Sequence, residues 1–364
     1  MSLVPLFSAV AANAGLDFSL PIKRVIDSYW YVLGEEVVSF ESEFAKYVGV
    51  SNCVSLANGT DALELALRGL DVKKGDQVVS VANAGFYGST AIHAIGAIPL
   101  YVDVDDKTLT MSVDALAKAL KQKPKAVIVT HLYGQLADVE ELVRMTSEAG
   151  IPLIEDCAQS NGATRNGRQA GSFGKIACFS FYPTKNLGAL GDGGAITTND
   201  GDLTARIRAL RQYGWSQKYQ VTTEGGRNSR LDEIQAAILR EKLPHLAYWN
   251  NERRRIAQIY NDAFAALPLE RPCSTGDDYV AHLYVLRVKD RYSFREFLKE
   301  RGIATDVHYP IPDHKQPAYP YSGVVQLDVT ESACASVVSL PCFPGLTEIE
   351  VKRVVVAVVE YFQQ

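Results

Sequence analysis

Along the chain, short apolar runs alternate with longer stretches in which apolar residues recur every three to four positions. The runs at 53–57, 77–81, 98–102, 126–130, 152–155, 176–181 and 195–198 are dominated by Val, Ile, Leu and Ala. Such unbroken runs predict strands buried on both faces. The stretches at 61–70, 89–96, 112–120, 139–149 and 202–213 carry helical spacing instead. Ahead of all of these, residues 36–48 (EVVSFESEFAKYV) place Val37, Phe40, Phe44 and Val48 on one helical face, and Gly34 separates that helix from an earlier one around 21–32. Strands alternating with helices predict an α/β fold whose sheet is mostly parallel and covered by helices. In such sheets ligands lie beyond the carboxyl ends of the strands.

After about residue 228 the pattern changes. Helical segments at 232–241 and 247–266 lead out of the sheet region, and 268–278 reads as a loop. A strand at 284–288, a helix at 293–300, a strand near 305–309 and a terminal helix at 348–362 predict a smaller α+β domain. The expected division is a large domain over 1–240 and a small one over 241–364. The segment 308–321 (HYPIPDHKQPAYPY) holds four prolines and three tyrosines. It is too rigid and aromatic for an idle linker.

Composition narrows the picture. At 364 residues, 47% hydrophobic and 22% charged, the chain has ample material for a large core. A formal charge of −5 and a pI near 5.8 carry no basic surplus, so no nucleic-acid partner is expected. The basic run 252–255 (ERRR) reads as a solvated helix face. The six cysteines include no C-x-x-C pair and mostly occupy apolar segments, which predicts reduced, buried thiols in a cytoplasmic protein and no metal site. No apolar run reaches the roughly 18 residues of a membrane span. The opening MSLVPLFSAVAANAG lacks a basic leading segment and carries Pro5, so no signal peptide is expected.

Four strand ends hold candidate chemistry. At the first, Asn58-Gly59-Thr60-Asp61 joins a strand to a helix, and a helix start with an added hydroxyl suits a phosphate; an ordinary Thr or Asp cap has the same residues. The second, 83–89 (NAGFYGS), sets Phe86 and Tyr87 among glycines, where an aromatic could stack on a flat ligand or fill the core. At the third, Glu155 and Asp156 end an apolar strand, and buried carboxylates need a partner: an internal salt bridge or a cationic ring nitrogen. The fourth, 180–194 (SFYPTKNLGALGDGG), holds Ser180, Lys185 and four glycines. A phosphate cradle, a stacking ring, a buried aspartate and a lysine at one sheet edge together match the needs of pyridoxal phosphate. The lysine forms a Schiff base with the aldehyde, the aspartate keeps the pyridine nitrogen protonated, and the helix start takes the phosphate.

The motifs NGTDALELAL, HLYGQ, IEDCAQSNGA, SFYPTKNLGALGDGGAI, NSRLDEIQAAIL and HYPIPDHKQPAY resemble those of the DegT/DnrJ/EryC1/StrS family of nucleotide-sugar aminotransferases, which have the aspartate aminotransferase type I fold. The resemblance runs over nearly the whole chain. It implies Lys185 as the Schiff-base lysine and proton shuttle, Asp156 on the pyridine nitrogen and Gln159 on the ring hydroxyl. Gly59, Thr60 and Ser180 would bind the phosphate, Asn228 would reach it from the neighbouring subunit of a homodimer, and Phe86, with Tyr87 second, would stack on the ring. The SFYPTK version of the lysine segment, with Tyr182 where enzymes acting at C-4 carry histidine, resembles the branch acting on dTDP-linked 3-keto-6-deoxyhexoses. There Tyr182, Lys218, His308 and Tyr309 would line the sugar pocket. The implied reaction takes an amino group from L-glutamate through pyridoxamine phosphate to C-3 of the sugar. A UDP-3-keto-N-acetylglucosaminuronate or 4-keto-sugar transaminase, a sugar 3-dehydratase, and a non-catalytic regulatory protein of the same fold are the alternatives.

Overall fold

A computed structural model describes residues 3–321, 323 and 325–364. Seven strands form the central sheet: β1 (Asn52–Leu56), β2 (Gln77–Val81), β3 (Ile98–Val102), β4 (Ala126–Thr130), β5 (Leu153–Asp156), β6 (Ile176–Ser180) and β7 (Gly194–Thr198). Their spatial order is β1-β7-β6-β5-β4-β2-β3. The ladders linking β6, β5, β4, β2 and β3 are parallel, whereas β7 runs antiparallel to both β1 and β6. Alternation along each strand explains the uninterrupted apolar runs. Val54, Leu56, Val78, Ile128, Ile154 and Ile176 face one layer of helices, Gly59–Gly69 and Gly201–Leu210 among them. Their neighbours Cys53, Val79, Val127, Leu153, Ala177 and Phe179 face the other side. The helix Glu35–Val48 covers part of that second face, because its i, i+3, i+4 stripe of Val37, Phe40, Phe44 and Val48 is buried there.

A second core gathers the helices Leu246–Ala263, Arg291–Glu300 and Glu348–Phe362 around a two-stranded ladder, β8 (Tyr284–Arg287) with β9 (Val337–Leu340). Val4 from the N-terminal segment packs into it. The strand expected near 305–309 does not form: only Asp306 makes an isolated bridge, to Ser339. Pro310 and Pro312 remove backbone donors just beyond it, so the ladder cannot extend. The true partner, β9, follows directly on the helix Asp328–Ser336. A four-residue apolar run fused to a helix end has no periodic signature of its own.

Two further expectations change. The 252–255 run is not a uniformly solvated face. Arg253 is 2% exposed, and its Nη1 donates to the carbonyls of Ala281, His282 and Cys342 at 3.3, 3.2 and 2.6 Å. Five of the cysteines are buried, but Cys273 is exposed. Among the described residues no helix is long and apolar enough to cross a membrane.

Candidate active site

The sheet brings four predicted strand ends to one edge. Thr130 pairs with Asp156, and Ser180 and Leu56 both pair with Gly194. Because β7 is reversed, its first residue lies where its neighbours end. A Cβ on Gly194 would sit 2.3 Å from the Asn58 carbonyl oxygen, so only glycine permits this crossing.

Beyond this edge lies a cavity of about 820 Å³ between the sheet and the second core. Gly59, Thr60, Ser180, Asp156, Gln159 and Lys185 all line it, and so do Tyr182, His308 and Tyr309. The helix Gly59–Gly69 is capped by Asn58, whose side chain accepts from Asp61 N–H at 2.8 Å. The cap is thus neither Thr60 nor Asp61. The first bond inside the helix runs from Ala62 N–H to Asn58 O at 3.1 Å, so the N–H groups of Gly59 and Thr60 precede it. A Cβ on Gly59 would come within 2.7 Å of Ser180 Cβ. That close approach joins two backbone donors and two hydroxyls into one cradle, with the positive helix end behind it.

Glu155 and Asp156 point to opposite faces, as consecutive strand residues must. Glu155 is fully buried and accepts from Phe173 and Gly174 N–H on one oxygen (2.7 and 2.6 Å) and from Gly171 N–H on the other (2.8 Å). His131 Nε2 also bonds that second oxygen, at 3.1 Å. His131 Nδ1 accepts from Ala137 N–H at 3.2 Å, which makes Nε2 the protonated nitrogen. His131, Glu155 and Cys157 have ligand atoms within 4.8 Å of one another, yet these bonds occupy both ring nitrogens and both carboxylate oxygens. The cluster is a structural network behind the site. Asp156 instead faces the cavity, held by Ala158 N–H (3.1 Å) and Thr130 Oγ1 (3.2 Å). Burial pushes its carboxyl up; the Ala158 N–H and the charge of Lys185 pull it back.

Lys185 rides on a rigid platform. Phe181 is fully buried and meets Phe44 and Phe40 edge-on at 5.3 and 5.4 Å. Tyr182 O then accepts from Lys185 N–H at 2.8 Å, closing a tight turn that projects the lysine. Its exposed surface is in the cavity, and this enclosure pushes the ammonium down to about 8 against the opposing pull of Asp156. Asn186 pins the next residue. Its Nδ2 donates to Asn250 Oδ1 (2.7 Å) and Val280 O (3.0 Å), while its Oδ1 bonds His282 Nδ1 at 2.9 Å. That arrangement protonates His282 at Nδ1. Burial, followed by the charges of Lys185 and Arg253, holds His282 well below its ordinary value and therefore neutral.

Gln159 accepts from Tyr133 N–H at 2.6 Å and donates to Tyr309 Oη at 3.1 Å, leaving its second amide hydrogen for a ligand. His308 is anchored through Nδ1 to Ser339 Oγ at 2.8 Å, and its carbonyl accepts from Tyr133 Oη. Tyr182 is 52% exposed at the cavity mouth. Three named residues lie outside this chain's cavity, among them Asn228, which was expected to act in the neighbouring subunit. Phe86 does not line the cavity: its φ is +71°, and its ring packs on Tyr319 (5.1 Å) and His93 (5.9 Å). Its neighbour Tyr87 does line it. Lys218 is exposed at the tip of the hairpin Trp215–Gln217 and Gln220–Val221, with Nζ 5.2 Å from the Tyr219 ring centroid. Asn228 is exposed and bridges to Gln212.

Arg253 and His282 also line the cavity and were not foreseen. A signal for Arg253 existed: it shares a helical stripe with Trp249, Ile256 and Tyr260, all buried. The Gly59–Ser180 close approach, the cavity-facing carboxylate and the enclosed lysine fit pyridoxal phosphate in its phosphate, ring nitrogen and aldehyde.

Comparisons with known proteins agree with this geometry. The model of the DegT/DnrJ/EryC1/StrS aminotransferase family matches residues 16–359. The dTDP-3-amino-3,6-dideoxy-alpha-D-galactopyranose transaminase of Aneurinibacillus thermoaerophilus is 45% identical over 341 residues, covering 93% of this chain and 94% of that protein. The UDP-N-acetyl-3-dehydro-alpha-D-glucosamine 3-aminotransferase of Acidithiobacillus ferrooxidans is 40% identical, covering 92% and 90%. The solved S. venezuelae DesV, in complex with a ketimine intermediate, superposes with a TM-score of 0.96 at 40% identity over 100% of both chains.

Proposed function

The chain belongs to the DegT/DnrJ/EryC1/StrS aminotransferase family, and from that premise we propose that it transfers an amino group from L-glutamate to C-3 of a dTDP-linked 3-keto-6-deoxyhexose. The observation that carries this reading is the convergence of Lys185, Asp156 and the Asn58–Thr60 helix start on one cavity. Gly59, Thr60 and Ser180 would hold the cofactor's phosphate, Asp156 its ring nitrogen and Gln159 its ring hydroxyl. Tyr87, which lines the cavity where Phe86 does not, would be the aromatic against the ring. When bound, pyridoxal phosphate supplies the carbonyl that receives the donor's amino group and a ring that takes up the electrons of the broken C–H bond.

The protein's own work is positioning and proton transfer. Lys185 Nζ, enclosed and neutral above about pH 8, would take the proton from Cα of the L-glutamate donor and deliver one to C-3 of the sugar. Asp156 stays in place through Thr130 and Ala158, so its charge is preorganised. Tyr182, His308 and Tyr309 present flat faces and hydrogen-bonding tips suited to a sugar. Lys218 and Asn228, exposed and outside their own subunit's cavity, are read as contributions to the partner's site in a homodimer. The division at residue 240 and a cytoplasmic location belong to the same reading.

The C-3 assignment draws support from the relatives, whose names put the amino group at C-3 on dTDP and UDP sugars alike. The experiment is incubation with L-glutamate and purified dTDP-3-keto-6-deoxy sugars of both C-4 configurations, with a UDP-3-keto sugar alongside. Mass and NMR of the product are expected to show a 3-amino dTDP-sugar. Amination of the UDP sugar alone, or of none, refutes the assignment.

A further inference from the structure

The helix Tyr87–Ala94 begins without a cap of its own. Its N-cap residue is Phe86, in the left-handed region and with no side chain to offer. The N–H of the N-cap residue itself finds its acceptor more than two hundred positions away. Asp313 Oδ1 accepts from Phe86 N–H at 3.0 Å, and Oδ2 accepts from Ser89 Oγ at 2.6 Å. Ser89 Oγ in turn lies 3.0 Å from Tyr101 Oη. The backbone of Asp313 joins the same contact, because its N–H donates to Ala82 O at 2.8 Å. Asp313 is 2% exposed, so this is a desolvated carboxylate seated on a positive helix end.

Asp313 belongs to the same segment as His308 and Tyr309. The aromatic contacts around it connect the same two pieces of chain. Tyr319 packs on Phe86 and on His93 (4.4 Å), and Tyr309 meets Tyr87 at 6.1 Å. A Cβ on Gly85 would strike the Tyr309 ring at 2.8 Å. Beyond Asp313, Lys315 and His314 pair with Glu331 on the helix Asp328–Ser336. Among these contacts the Asp313 carboxylate alone fastens the backbone of the Tyr87 turn.

We propose that Asp313 is a positioning residue for the aminotransferase reaction, one carboxylate that both caps the turn presenting Tyr87 and clamps the segment presenting His308 and Tyr309. The wall expected to hold the cofactor ring and the wall expected to face the sugar are then tied to each other through this side chain. The inference rests on the function proposed above. Burial pushes the Asp313 carboxyl up to about 7, but the clamp does not depend on its charge. Ionised, it accepts from both donors; protonated, it accepts from Phe86 N–H and donates to Ser89 Oγ. Asparagine reproduces the second pattern, and alanine reproduces neither.

The test compares Asp313→Ala and Asp313→Asn with the wild-type holoenzyme in steady-state kinetics. Loss of both hydrogen bonds in a buried site predicts about a tenfold or larger rise in the sugar KM for Asp313→Ala, with Asp313→Asn, which keeps both, within about twofold of wild type. The second readout needs no cofactor: trypsin is expected to cut the folded Asp313→Ala apoprotein after the exposed Lys315 about ten times faster than wild type, and Asp313→Asn no faster. If Asp313→Ala does not fold, Ser89→Ala, which removes one of the two donors, is expected to show the same selective rise in sugar KM by about threefold. An unchanged sugar KM and tryptic rate in Asp313→Ala (or in Ser89→Ala, where that variant is used) overturns the proposal. So does an Asp313→Asn variant as impaired as Asp313→Ala. Should the wild type aminate no nucleotide sugar, the function reading falls, and the tryptic comparison still decides the clamp.

Discussion

Adjacent carboxylates at the end of β5 are expected to fail in opposite ways when neutralised. Glu155 receives four donors on two oxygens, all in the fully buried layer behind the site. In Glu155→Gln one oxygen becomes an NH₂ group. Whichever way the amide turns, two donors lose their acceptor: the Phe173 and Gly174 N–H pair, or Gly171 N–H and His131. His131 cannot compensate by moving its proton, because Nδ1 already accepts from Ala137 N–H. At about 1–3 kcal/mol for each orphaned group, the cost is about 2–6 kcal/mol. Asp156 has only two donors, Ala158 N–H and Thr130 Oγ1. In Asp156→Asn the amide oxygen keeps the first and the NH₂ group can donate to the second, so stability holds while the negative charge beside Lys185 disappears. Urea unfolding of the apoproteins separates the two. With an m-value of about 3 kcal/mol/M, Glu155→Gln lowers the midpoint by about 0.7–2 M and Asp156→Asn leaves it in place. Turnover behaves inversely across the pair: Asp156→Asn loses about 10²–10³-fold, the scale set by removing one preorganised charge. A Glu155→Gln midpoint within 0.3 M of wild type, or an Asp156→Asn midpoint that falls as far as that of Glu155→Gln, would refute the division of labour.

Lys185→Ala is expected to abolish sugar amination, followed by product mass, without lowering the urea midpoint, since it removes an enclosed cation. Residual amination above background would sink the lysine's role. Because enclosure lowers the Lys185 ammonium to about 8, the fraction of neutral amine grows as pH rises through that value, and the proton-transfer rate is expected to climb with it. Asp156 pulls this value up, so Asp156→Asn moves the rise to lower pH; a rise centred near the ordinary lysine value of 10.5 in the wild type contradicts the enclosure argument. Gly59→Ala sets a methyl 2.7 Å from Ser180 Cβ, and overpacking of about 1–3 kcal/mol at the cradle is expected to weaken cofactor binding about five- to 150-fold in a pyridoxal phosphate titration. An unchanged affinity there means the cradle is elsewhere.

What the sequence made legible, and what it hid, divides by the range of the interaction. Strand runs and helical stripes are local, and the residues at their ends inherit a location from the parallel-sheet rule alone. Lys185, Asp156, Thr60 and Ser180 were therefore readable as one site before any contact was known. Hydrophobic pattern alone leaves Glu155 and Asp156 as a pair, and only the family resemblance singles out Asp156; strand register puts the two on opposite faces, since the period of two sends neighbours to opposite sides. The choice between Phe86 and Tyr87 turns on one backbone dihedral. With Phe86 at φ +71°, the helix starts at Tyr87 and the two rings part, one against Tyr319 and one toward the cavity. Nothing local in NAGFYGS fixes that dihedral. The donor pair at Phe86 and Ser89 instead meets its acceptor in Asp313, 227 positions from Phe86. On the proposal above, the proline- and tyrosine-rich stretch at 308–321 supplies the Asp313 contact that holds this turn, and with it the placement of Tyr87, not Phe86, along the cavity.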